Sequence, residues 1–158
     1  MASDVRVGDV VDDFELLDQT GTARRLSELL MNGPVVLFFY PAAMTPGCTA
    51  ESCHFRDLAT EFAEVGAQRV GISRDGVDKQ RQFAEMHSFD YPLLSDPDGT
   101  VAGRFGVRRR LPLGPLSTRR MTFVIDTDRR ILAVIHSELS MNDHADRALR
   151  VLREHASR

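Results

Sequence analysis

The sequence predicts an α/β fold, a central mixed sheet flanked by helices, and three observations carry that expectation. The run "PVVLFFY" (34–40) is continuously β-branched and aromatic, the pattern of a central strand buried on both faces. Further apolar runs are separated from it by amphipathic stretches, so strands alternate with helices. The last two runs, "MTFVID" (121–126) and "ILAVIH" (131–136), are joined by the short turn Thr127-Asp128-Arg129-Arg130, which predicts a closing hairpin.

Taken in order, the N-terminal "MASDVRVGDVVDDFELL" is acidic and lacks a charged-then-apolar leader pattern. After the central strand, "QRVGIS" (68–73) reads as a second strand. Helices are expected near 48–65, 77–87, 98–105 and 142–155. The breaker-rich "YPLLSDPDG" interrupts the middle of the chain, with Asp98-Gly99 turning into the third of these helices. The segment "RRRLPLGPLSTRR" (108–120) reads as a Pro- and Gly-rich loop. Nothing repeats and no linker divides the chain, so one domain is expected over 1–158.

A length of 158 residues is enough to bury a core without staples. The net charge of −3 argues against a general nucleic-acid binder. Nineteen of the 20 basic residues are arginine. No stretch approaches the roughly 20 apolar residues that cross a bilayer. These features lead to the expectation of a soluble cytoplasmic protein without nucleic-acid or membrane partners. Cysteines there stay reduced, which disfavours a permanent disulfide and leaves a transient one open.

Both cysteines fall within "FFYPAAMTPGCTAESC" (38–53). Thr45 followed by Pro46 signals a helix start, with Thr45 as N-cap and Pro46 at the first helical position. Cys48 is then in the first turn, where unpaired N–H groups and the positive end of the helix dipole favour negative charge. Thiolate is the nucleophilic form of cysteine. Pro41 closes the preceding strand and would shield the sulfur from water. At 100° per residue, Leu58, Ala59 and Phe62 lie within about 60° of Phe55, forming an apolar stripe. On that wheel Cys48 lies about 20° from Phe55, and Cys53 about 160° away, facing outward. Glu51 lies about 40° from Phe55, so its carboxylate points toward the core and needs a partner there.

Taken singly, each of these residues has a bland reading: a buried filler cysteine, a helix cap, an exposed first-turn acid. Their combination in one segment favours a reactive sulfur. A metal site is a weak rival, because Cys48, Cys53 and His54 point to different sides of a helix and lack ligand spacing. His87, His136, His144 and His155 read as surface or satisfied histidines. No metal and no cofactor are expected.

The string Pro41-x-x-x-Thr45-x-x-Cys48 resembles the active-site signature of peroxiredoxins. Cys53, five positions on, resembles the bacterioferritin-comigratory-protein, or peroxiredoxin Q, subgroup. The likeness continues through "FRDL", "GISRD", "YPLLSDPDG", "RFGV" and "RRMTFVID". It implies a thioredoxin-like fold with the peroxiredoxin N-terminal extension, and a peroxidase acting on hydrogen peroxide and organic hydroperoxides. Cys48 would be the peroxidatic nucleophile that becomes a sulfenic acid, with the Thr45 hydroxyl orienting the peroxide. The family's late-strand arginine falls on Arg120. Side chains alternate along a strand, so only one of Arg119 and Arg120 should point inward. Arg120 could also partner Glu51.

In the same resemblance Cys53 is the resolving thiol, giving a transient Cys48–Cys53 disulfide recycled by thioredoxin. An intact helix holds Cα atoms five residues apart at roughly 8.6 Å, from a rise of about 7.5 Å and a chord of about 4.3 Å. A disulfide needs less than about 7 Å. The segment from about Thr45 to His54 is therefore expected to unwind in each cycle. The competing reading is a thiol–disulfide exchange or redox-sensing protein on the same fold, although such proteins usually space their cysteines by two residues. The turn "DTDRR" lacks a glycine common in the family, and Phe105 stands where a tyrosine is usual. Peroxide preference would depend on Met44, the 107–118 loop and Met121. Arg108, Arg109 and Arg110 read as solvated, with docking of an acidic reductase the lesser alternative. The resemblance favours a monomer and leaves a dimer through an edge contact open.

Overall fold

The computed structural model describes residues 5–113 and 116–157, with 109–113 and 116–117 described by their backbone alone. Among the described residues the main sheet has seven strands in the order β2-β1-β5-β4-β3-β8-β9. Its centre is β3 (Val35–Phe39), parallel to β4 (Gln68–Ser73) and antiparallel to β8 (Met121–Ile125). All five residues of β3 are buried, as are all five of β8, as the continuous apolar runs predict. β9 (Ile131–His136) closes one edge as the expected hairpin partner of β8.

Alternation along β3 divides the interior in two. Val35, Leu37 and Phe39 pack on one face with α1 (Leu26–Leu29), Phe105 and Phe123. Val36 and Phe38 pack on the other with Phe55, Phe62, Phe83 and Leu149. That second face carries α2 (Pro46–Asp57), α3 (Ala59–Glu64), α4 (Val77–His87) and α6 (Met141–Ala156). In α6, Ala145, Ala148, Leu149 and Leu152 form the buried stripe that helical periodicity demands.

Several elements depart from the sequence expectation. Strands β1 (Glu15–Leu17), β2 (Ala23–Arg25) and β5 (Leu93–Ser95) have three residues each, too few for a periodic signal. The expected helix near 98–105 is the shorter α5 (Thr100–Arg104). The segment read as a loop forms a two-stranded ribbon, β6 (Arg108–Leu113) with β7 (Leu116–Thr118). Positions 114–115, and the side chains of Arg109 and Arg110, lie outside the described residues; Arg108 is exposed.

The single helix expected over 48–65 breaks at Leu58 (φ −96°, ψ 22°) and restarts as α3. A continuous helix would offer the Phe55 and Arg56 carbonyls to residues 59 and 60. Here the Arg69 guanidinium takes them instead, at 3.0 and 3.5 Å. In the turn before β9, which lacks a glycine, Arg129 adopts a left-handed conformation (φ 67°). Its guanidinium donates to the Val11 carbonyl at 3.0 Å, anchoring the strained residue. Phe105 is buried against Phe39 and Phe123, with ring centroids 5.3 and 4.9 Å away.

Candidate active site

The site lies where the chain leaves β3 and enters α2. Pro41 is buried at the strand exit. Asp75 holds the following loop, its Oδ2 accepting from the Ala43 N–H at 2.7 Å and from the Ser73 hydroxyl at 2.7 Å. Within that loop Met44 is left-handed (φ 65°), a strained conformation for a non-glycine residue and often a mark of function. Thr45 then occupies the N-cap position with extended backbone, and Pro46 is the first helical residue, as expected.

The Thr45 side chain corrects one expectation. Its hydroxyl does not cap the helix; it donates to the Ala42 carbonyl at 2.7 Å. Thr45 is exposed, and with its proton committed the oxygen keeps lone pairs for an incoming donor. The Thr45 carbonyl takes the Thr49 N–H at 2.8 Å. Helix geometry leaves the N–H groups of Gly47 and Cys48 without intrahelical acceptors beside the thiol.

Cys48 is fully buried, and Arg120 Nη1 lies 3.3 Å from its Sγ, a charge-assisted contact. Arg120 begins β8's approach to the site, as alternation predicts, while Arg119 turns away to the Gly106 carbonyl at 3.4 Å. The same Arg120 Nη1 lies 3.5 Å from Glu51 Oε1. The backbone N–H of Arg120 donates to Glu138 Oε2 at 3.1 Å. Glu51 points inward with no exposed surface, and burial pushes its carboxyl up to about 8, against the opposing pull of Arg120. Near neutrality Glu51 is therefore mostly the neutral acid, and the guanidinium charge is left to the sulfur.

His144 is the participant that sequence reasoning missed. It is fully buried, 3.4 Å from Glu51 Oε2 through Nε2. Nε2 also lies 2.8 Å from the Ser137 carbonyl, which can only accept, so Nε2 carries the proton. Nδ1 then accepts from the Thr122 hydroxyl at 2.8 Å. Burial, with Arg120 nearby, holds this imidazole below the usual range and keeps it neutral. The expectation of a satisfied histidine holds and that of a surface one does not. Only its place in the i, i+1, i+4 buried pattern of α6 could have signalled it.

Cys53 also differs from the wheel reading. It is half-buried and packs against the apolar cluster, because the chain around Tyr91 lies along that side of α2. Burial pushes its thiol up. Both cysteines are free thiols within one intact helix. His54 is paired with Asp146 of α6 at 2.7 Å.

A thioredoxin-like sheet, and a buried cysteine at a helix start facing a guanidinium, define a peroxiredoxin: a thiol-dependent peroxidase. The AhpC/TSA family model matches residues 7–134, and the chain belongs to that family. It is 68% identical to the peroxidoxin BcpB of Mycobacterium tuberculosis, with a TM-score of 0.89 over 94% of this chain and 96% of that one. It is 36% identical over 155 residues to the peroxiredoxin Bcp of Escherichia coli K12, covering 96% of this chain and 98% of the relative. The bacterioferritin comigratory protein of Xanthomonas campestris, whose structure concerns alkyl peroxide reduction, is 30% identical with a TM-score of 0.83, over 90% and 92% of the two chains. Membership of the peroxiredoxin family gives this chain peroxide substrates and a thiol reductant.

Proposed function

We propose that this peroxidase reduces hydrogen peroxide and organic hydroperoxides at Cys48, with Cys53 as the resolving thiol and thioredoxin or a similar dithiol as reductant. The observation that carries the reading is the 3.3 Å contact between Arg120 and the Cys48 sulfur at the first turn of α2. The Cys48 thiolate attacks the terminal peroxide oxygen; the S–O bond forms as the O–O bond breaks. The departing alkoxide develops beside the guanidinium and takes up a proton to leave as alcohol. Thr45 Oγ1 accepts from the hydroperoxide O–H and orients it. Buried Pro41 keeps bulk water from the sulfur. The alkyl peroxide activity of the Xanthomonas campestris relative supports the organic substrate class. Free thiols and a dithiol reductant suit a reducing compartment, which supports the cytoplasm as the proposed location.

Peroxide treatment followed by mass mapping of the thiols tests the assignment. Wild type should form a 48–53 bridge, Cys53→Ser should accumulate over-oxidised Cys48, and Cys48→Ser should consume no peroxide. Peroxide turnover that survives Cys48→Ser would remove the assignment. An exchange protein, the rival reading, would consume no peroxide in any form.

A further inference from the structure

Helix α2 carries both cysteines, and two side chains from outside it grip its carbonyl groups. The Tyr91 hydroxyl donates to the Ser52 carbonyl at 2.7 Å, between Cys48 and Cys53 in sequence. Arg69 donates to the Phe55 and Arg56 carbonyls and is held bidentately by Asp90 at 3.0 and 2.8 Å. Its guanidinium lies 5.0 Å from the centroid of the Tyr91 ring. The two kinds of contact differ in consequence. The Ser52 carbonyl already belongs to the helical ladder, so Tyr91 adds to it and can let go. The Phe55 carbonyl lies at the helix end, in the last turn, and the Arg69 guanidinium donates to it at 3.0 Å. Phe55 itself is fully buried and stacked on Phe38 at 4.1 Å and 8°.

We propose that Tyr91 is a releasable latch on α2 and Arg69 a fixed pin behind it, so that unwinding stops at Phe55 and its rate is set by release of Tyr91 from Ser52. This rests on the reading of Cys53 as the resolving thiol. In the step so controlled, the Cys53 sulfur attacks the Cys48 sulfenyl sulfur. The S–S bond forms, the S–O bond breaks, and hydroxide leaves as water with the Cys53 proton. Cys53 is oxidised and the sulfenyl sulfur reduced. Half-buried Cys53 cannot make this attack from the helix, and while the latch holds, a second peroxide can carry the sulfenic acid to the sulfinic acid. Tyr91 is thus a positioning residue that sets how long the sulfenic acid stays exposed to that second oxidation.

The test compares wild type with Tyr91→Phe, which keeps the ring and removes only the hydroxyl. The chain has Trp 0, so rapid quenching and intact-mass analysis replace indole fluorescence. Loss of one hydrogen bond should speed disulfide formation about fivefold and cut the sulfinic fraction at excess peroxide by a similar factor, while sulfenic acid formation holds its rate. Amides 49–54 of the reduced variant should exchange faster by the same factor and those of 59–64 should not. In Arg69→Met the faster exchange should extend past Phe55 into α3. Disulfide formation at the wild-type rate in Tyr91→Phe, or exchange accelerated equally through 59–64, would overturn the latch. A wild type that never forms the 48–53 bridge overturns the resolving role of Cys53 and the latch with it; a bridge at unaltered rate removes the latch alone.

Discussion

At Arg120 one nitrogen, Nη1, faces two groups that could each claim it, Cys48 Sγ at 3.3 Å and Glu51 Oε1 at 3.5 Å. The outcome depends on which of them is charged. Burial raises Glu51 to about 8, so at neutral pH the acid is mostly protonated and the guanidinium serves the sulfur and the developing alkoxide. Replacing Arg120 by methionine should then lower the second-order rate with peroxide by about a hundredfold, the scale of losing one oriented charge at an oxyanion. The fold should survive, because the neutral acid leaves no unpaired buried charge. Competition kinetics against catalase measures the rate, and a loss under threefold would show that Arg120 does not stabilise the reacting atoms. Arg120 was legible because the family resemblance puts the late-strand arginine on it, while strand alternation says only that one of the two neighbouring arginines faces inward. Glu51 was legible from its wheel position. His144 was not, since its partners, Thr122 and the Ser137 carbonyl, come from β8 and a loop, and the fold alone brings them to it.

Helix α2 places its first turn against Arg120, and Gly47 makes that approach possible. A Cβ built at position 47 would lie 2.9 Å from Arg120 Nη2 and 3.6 Å from Met141 Sδ. Alanine is the better helix residue by about 1 kcal/mol, so intrinsic propensity favours Gly47→Ala. The added methyl must nevertheless push the guanidinium off its line to Cys48. The expected signature is a split: peroxide reactivity falls about tenfold, of the order that a displaced charge-assisted hydrogen bond costs, while the melting temperature holds or rises. A variant with wild-type reactivity would show that the guanidinium has room to yield. Because glycine is a poor helix residue, the sequence alone marks position 47 only as a weak point in a helix. The close approach of an arginine from a strand more than seventy residues away leaves no local trace. The same distinction separates the elements. Long apolar runs such as β3 and β8 were readable because burial on both faces dictates their composition. The three-residue strands are too short for a periodic signal, the β6–β7 ribbon lies in a Pro- and Gly-rich stretch, and the break at Leu58 has its partner in the distant Arg69 guanidinium.

For the whole molecule, the buried acid ties global stability to pH. Glu51 rises from an ordinary 4.5 to about 8 on folding, chiefly by desolvation, with Arg120 opposing and Glu138 adding to the rise. Between those values the native state holds a proton that the unfolded chain has released. Stability therefore falls as pH climbs through that window, by a few kcal/mol in all. Asp13, Asp18 and Asp90 are lowered, net, by hydrogen bonds and by arginine partners despite their burial, so they act with the opposite sign and cost stability only in acid. His144 is lowered by burial, and its contribution is lost as pH falls below about 6.5. A stability profile of wild type alone mixes these slopes, whereas subtracting that of Glu51→Gln isolates one of them. Glutamine keeps the shape and the polarity of the neutral acid and cannot ionise. The two proteins should melt together near pH 5, and the variant should gain several degrees over wild type by pH 8.5. A constant difference across that range would mean that Glu51 stays ionised in the fold. The guanidinium would then be shared between two anions, and Cys48 would have to draw its activation from the amides of the first helical turn.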